Sequence, residues 1–160
     1  MNREIVDFYL DDEGDHAARL SCGHGRHVRH RPPMVSRPWV LTEAGRRGQL
    51  GTVLDCLKCD RLELPDDALP YRHTRDFTEQ TLPAGLRAEH STKVGVWGRI
   101  EVSAGTLRYR IAVLDHDVIL VSGDVGIIPP EMPHSVTPEG LVVFRVVFCR
   151  PSSLMLTAEG

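Results

Sequence analysis

The chain has 160 residues, of which 41% are hydrophobic, and a formal net charge of −3. That length suits one ordinary domain or two small ones, and a half of roughly 60 residues buries too little apolar surface to be comfortable alone, so a structural metal is the usual remedy. The mild acidity argues against a polyanion binder, and no stretch has the length and apolarity of a signal peptide or membrane span. A reducing cytoplasm is therefore the expected compartment, where a Cys/His cluster reads as a metal site rather than as disulfides.

In chain order, Ile5 to Tyr9 and His16 to Leu20 flank the turn-forming run Asp11-Asp12-Glu13-Gly14-Asp15, which predicts a hairpin. Pro32-Pro33 and Pro38 then interrupt the chain, and Thr42 is placed to cap one short helix. Residues 63–70 hold two prolines and three acids without an apolar period, so they read as a linker between a module over 1–62 and a domain over 71–152, with a tail over 153–160. Beyond the linker the period becomes two. Leu107, Tyr109, Ile111 and Val113 alternate with polar positions, and Val118 to Val121, Val125 to Ile128 and Leu141 to Phe148 are short β-prone runs. The expected fold is mainly β: a small zinc-binding module followed by a β-barrel or sandwich.

Three of the four cysteines fall in the first half, as Cys22-Gly23-His24 and Cys56-Leu57-Lys58-Cys59. Three thiolates and one imidazole suit Zn²⁺, which takes S and N donors in tetrahedral geometry and, with four protein ligands, is closed and structural. Cys22, His24, Cys56 and Cys59 are the expected ligands, with His27 as the alternative to His24. Between residues 22 and 47, Arg26, Arg29, Arg31, Arg37, Arg46 and Arg47 face the single acid Glu43. These arginines read first as solvating charges that offset the thiolates, because stacking aromatics other than Trp39 are missing, and nucleic acid is not the expected partner.

The string from Leu20 to Pro33, with its Cys-Gly-His-Gly core and the following His30-Arg31-Pro32-Pro33, continues to Arg37-Pro38-Trp39-Val40. It resembles a small bacterial Cys/His domain family of unknown function. The resemblance implies a zinc-binding fold and no established activity.

In the second half, Gly123-x5-Pro129-x-Glu131-x2-His134 has the spacing of the second cupin motif, with Glu131 standing where that motif carries glycine. Glu131 is thus a candidate ligand or general base beside His134. The first cupin motif is poorly met: His90 alone is available, and no H-x-H precedes the turn expected at Gly105. The stretch His90-Ser91-Thr92-Lys93-Val94-Gly95-Val96-Trp97-Gly98, with Gly105 to Tyr109, resembles the cupin-like N-terminal domain of the tellurite resistance protein TehB and the YeaR-like proteins. That resemblance implies a compact cupin barrel, a candidate second divalent metal at His90 and His134, and a role in tellurite, oxidative or nitrosative stress. It does not imply methyl transfer, which belongs to a separate domain of TehB.

Lys93 and Arg99 are candidates for binding an anion at the barrel mouth, while Trp97 and Tyr109 read as barrel core. No residue is assigned a catalytic role. The leading function is a metal-binding protein whose cupin half takes a small molecule or oxyanion. A metal-dependent oxygenase or isomerase is the second reading, and a nucleic-acid or protein adaptor the third. Edge-strand pairing in such barrels makes a homodimer the assembly to test.

Overall fold

Alternating burial along Asn2–Leu10 (β1) turns Ile5 inward and its neighbours outward, and the polar turn after Leu10 returns the chain as His16–Leu20 (β2). Asp11 closes that turn by accepting the backbone N–H groups of Glu13 and Asp15. Gly25–His27 (β3) pairs with β2, and Val53–Asp55 (β4) pairs with β1, giving a four-stranded antiparallel sheet in the order β3-β2-β1-β4. Thr42 does cap a one-turn helix, Glu43–Arg47 (α1), its hydroxyl accepting the Gly45 N–H. A second short helix, Leu57–Asp60 (α2), directly follows Cys56 and buries Cys59. These features come from a computed structural model that describes residues 1–155.

The second half is a curled antiparallel sheet built on two long strands, Trp97–Ile111 (β7) and Ser135–Pro151 (β10). They pair with each other along nearly their whole length. On its other edge β7 meets His116–Val121 (β8) with one end and Val125–Ile128 (β9) with the other. In the same way β10 divides its free edge between Ala68–His73 (β5) and Phe77–Thr78 (β6). One long strand serving two short neighbours must bend, and the sheet closes into a half-barrel. Gly105 is therefore not a turn residue. It sits inside β7 at positive φ, opposite the register shift of β10, where any Cβ would collide with the Leu141 carbonyl. Two further short helices are Ala84–Arg87 (α3) and Ser152–Met155 (α4). The tail expected over 153–160 begins within α4, and residues 156–160 lie outside the described residues.

Two apolar cores result. One fills the concave face of the half-barrel with Ile100, Leu107, Tyr109, Val136 and Phe144, among others. The other contains Ile5, Leu20, Cys22, Cys56 and Cys59 from the first half, together with Trp97, Val147 and Cys149 from β7 and β10. The first half thus does not rely on its own apolar surface alone: it is packed onto the outer side of the half-barrel. Gly23, at positive φ, lets Pro151 approach so closely that a side chain there would overlap the proline ring. Residues 63–70, expected as a linker, take part in this packing. Leu64 lies against the shared core, Pro65 is buried, and β5 starts at Ala68. Isolated apolar contacts of this kind leave no period in a sequence.

Candidate metal centre and cavity

Cys22 lies in the turn after β2, His24 immediately precedes β3, and Cys56 and Cys59 bracket the first turn of α2. All four side chains are buried, and their donor atoms lie within 4.8 Å of one another. The Cys22 and Cys56 sulfurs are 3.8 Å apart. His24 Nδ1 stands 3.5, 3.4 and 3.8 Å from the sulfurs of Cys22, Cys56 and Cys59. All four cysteines of the chain are free.

These groups influence one another strongly. Hydrogen bonds from Cys22 and Cys59 hold the Cys56 thiol far below its ordinary range, whereas Cys22 and Cys56, with burial, push Cys59 far above. The physical reason is that neighbouring thiolates cannot all ionise unless positive charge lies between them. Burial disfavours a charged His24, yet its bonds to Cys22 and Cys56 raise it to about 9. A cation at the centre would answer all of these demands together. The donor set and its spacing fit, so this cluster could hold a metal ion.

Part of the neighbourhood of the cluster is supplied from far along the chain. Trp97 Nε1 donates to the Cys22 carbonyl at 2.7 Å, and its ring meets His24 edge-on at 5.4 Å between centroids. Trp97 is accordingly core, as expected, but core beside the Cys/His cluster and not of the barrel. His27, the alternative ligand, points elsewhere: its side chain is 67% exposed and faces Asp11 at 3.2 Å. Two positions separate His24 from the last residue of β3, and the strand carries His27 away from the sulfurs.

The arginines nearby are largely committed. Arg29 pairs with Asp11, Glu13 and Asp15 of the β1–β2 turn, and Arg31 reaches Glu13 and Asp15. Arg47 pairs with Glu43, Arg46 donates to the Val40 carbonyl and Arg26 to that of Asp55.

In the half-barrel, His90 and His134 are joined by reciprocal backbone hydrogen bonds of 3.0 and 2.9 Å, and their rings lie 4.1 Å apart. Each Nδ1 is engaged by a carbonyl two residues earlier, Ala88 for His90 and Met132 for His134. Both Nε2 atoms are left as the outward functional groups. Burial chiefly, with His90 adding to it, lowers His134 to about 4 against the opposing bond to Met132, so it is neutral at pH 7.

Both rings line a cavity of about 490 Å³ opening from the concave face. Its walls include Phe77, Ile100, Val136, Phe144, Val146 and Phe148, and its polar margin holds Thr74, Ser91 and Thr92 with three cations. Lys93, a candidate from the sequence, is one of these. The others, Arg72 on β5 and Arg150 on β10, were not anticipated, because the pairing of β5 with β10 joins residues nearly eighty positions apart and leaves no local signal.

Two expected site residues face away. Arg99 does not line the cavity, because Ile100 does and the strand period of two turns Arg99 to the other face, where it pairs with Glu101. Glu131 is also outside the lining. It takes positive φ, the conformation for which the related motif uses glycine, and its half-exposed carboxylate pairs with the buried Arg3 at 3.3 Å. Arg3 also donates to the Pro130 carbonyl at 2.6 Å. The glutamate thereby belongs to the junction of the two halves and not to the histidine pair. Among the described residues, the Cys/His cluster is the one group of three or more metal-ligating side chains within reach of a common ion.

Comparison with known proteins follows the same division. Residues 6–63 match the family described as Protein of unknown function (DUF3565), and residues 72–146 match the TehB-like domain family. The uncharacterised protein YeaR of Escherichia coli is 29% identical over 84 residues, which take in 47% of this chain and 71% of YeaR. Among solved structures, TehB from Haemophilus influenzae aligns with a TM-score of 0.49 and 22% identity over 54% of this chain and 32% of its own, about a third of its length. A protein from Escherichia coli strain K12 aligns with a TM-score of 0.48 and 26% identity over 54% of this chain and 94% of its own. No helix among the described residues is long and apolar enough to cross a membrane. The chain is thus built of two parts, a DUF3565 segment at its N-terminus and a TehB-like domain over its C-terminal half.

Proposed function

We propose that the protein is a small-molecule binder whose N-terminal module is held together by a structural zinc ion. A tetrahedron with Zn–S of about 2.3 Å and Zn–N of about 2.0 Å has edges of about 3.8 Å between sulfurs and about 3.5 Å between sulfur and nitrogen. The spacings here, 3.8 Å between the Cys22 and Cys56 sulfurs and 3.4 to 3.8 Å to His24 Nδ1, are of that size. Four protein donors leave no position for substrate, and the centre is buried, both of which support a structural role.

The observation that carries the binding reading is the cavity of about 490 Å³ in the other half, within the roughly 300–1,000 Å³ typical of small-molecule sites. His90 and His134 could contribute to a second divalent metal. They bring two imidazoles, with no carboxylate or thiol in the lining to join them, which favours reading them as hydrogen-bonding groups in a ligand site. The commitment of the arginine patch to acids of its own module supports a partner other than nucleic acid. The likeness to TehB suggests a role in stress from tellurite or related oxidants, in a reducing cytoplasm where the cysteines stay out of disulfides.

The test is capture of a ligand. Protein incubated with a cell metabolite extract and then denatured should release a bound small molecule detectable by mass spectrometry. Val146→Trp, which fills the cavity from its wall, should release none while keeping one zinc per chain. Equal capture by the variant would refute the cavity as the site, and a chain purified without added metal that holds no zinc would refute the structural ion.

A further inference from the structure

The charges around the cavity are all of one sign. Its lining includes Arg72, Lys93 and Arg150 and contains no aspartate or glutamate. Along β7 and the part of β10 beside it, by contrast, arginines are matched: Arg99 and Arg145 with Glu101, and Arg108 and Arg110 with Asp117. Around the cavity they are not. Neither Lys93 nor Arg72 enters an ion pair or a side-chain hydrogen bond among the described residues, and Arg150 has only the face of Tyr71, 4.8 Å from its guanidinium. Three cations bordering one concavity with no counter-charge produce a positive potential that is focused at its mouth. Behind them the walls are aromatic and aliphatic.

We infer that the cavity takes an organic anion: an apolar aliphatic or aryl body seated against Phe77, Phe144 and Val146, with one acidic head group held by Lys93 and the neighbouring arginines. This names the ligand class of the site proposed above and rests on that reading. Size separates it from an inorganic oxyanion. An ion of a few atoms would leave most of the space unfilled and would place no apolar surface against walls that gain nothing from contact with a hydrated ion. A neutral molecule of the same shape would fill the walls but leave the three cations without a partner. The outward Nε2 atoms of His90 and His134 add a place for a hydroxyl donor on the ligand body, since each ring has its Nδ1 engaged by a carbonyl.

Calorimetric titration of the full chain, zinc included, decides this. The probes are straight-chain acids from hexanoate to decanoate, phenylbutyrate, its neutral counterpart phenylbutanol, and tellurite. At least one acid should bind, and phenylbutyrate should bind at least tenfold more tightly than phenylbutanol. Lys93→Met and Arg72→Met are at exposed positions without partners and should fold normally. Each should weaken the acid about tenfold, as for loss of one charge-assisted hydrogen bond, and leave the alcohol unchanged. Val146→Trp should abolish both.

Equal affinity for phenylbutanol would overturn the anion inference while the small-molecule cavity stood. Binding of none of the acids would overturn it as well, and the metabolite capture would then decide the cavity separately. Tellurite binding that survives Val146→Trp, with no organic probe bound, would overturn both.

Discussion

Replacing Trp97 with phenylalanine tests whether the metal centre depends on the half-barrel. Trp97 is fully buried, its Nε1 is 2.7 Å from the Cys22 carbonyl, and its ring touches His24. Phenylalanine keeps an aromatic ring but loses the donor, and a buried carbonyl left without one costs about 1–3 kcal/mol. The smaller side chain removes about 40 Å³, worth about 1 kcal/mol at about 24 cal/mol per Å³ of cavity. The sum is about 2–4 kcal/mol, which for a chain of this size lowers the melting temperature by about 5–15 °C. Guanidinium unfolding followed by circular dichroism should show that loss. Release of the bound ion to a colorimetric chelator should also become faster, because the backbone at Cys22 and the ring of His24 lose a common support. A variant with wild-type stability and wild-type release would refute the shared core, and the two halves would then have to be treated as independent.

The ligand set is tested by zinc content. Cys59→Ser should lose the ion and His27→Ala should keep it, since His27 faces Asp11; zinc lost only from the His27 variant would reverse the assignment. At Glu131, whose φ of 60° is strained for any residue with a Cβ, glycine should stay within about 1 kcal/mol of wild type as strain relief offsets lost chain order and the exposed half of the Arg3 pair. Valine there should cost about 2 kcal/mol, and equal unfolding midpoints for the two variants would remove the backbone argument. For His134, burial holds the folded pKa near 4, below the 6.5 of a free histidine. The unfolded chain therefore binds the extra proton first, so this group's contribution is complete above pH 6.5 and is lost as pH falls toward 4. The difference should approach about 3 kcal/mol. His134→Asn, which can still donate to the Met132 carbonyl, should flatten the curve over that window, and an unchanged slope would show that other groups cause it.

The local signals were legible because their causes are local. The hairpin followed from apolar alternation around an acidic turn, the Thr42 cap from one side chain next to one helical turn, and the ligand residues from a thiol pair that α2 places on a single turn. Glu131 departs visibly from the motif, but the departure concerns a backbone angle, which a residue type alone does not state.

By itself the sequence determined the β character of the chain, its two-part organisation, and which three sulfurs belong together, while leaving the imidazole open between His24 and His27, because periodicity and ligand spacing are properties of neighbouring residues. Tertiary structure alone decided that His24 and not His27 meets the sulfurs, that Trp97, Val147 and Cys149 share a core with the Cys/His cluster, that Arg3 ties Glu131 to the junction, and that Arg72 and Arg150 join Lys93 around an apolar cavity. Those contacts depend on long strands that bend and pair across the whole chain, and the resulting geometry is set by the sheet as a unit. No single segment carries it.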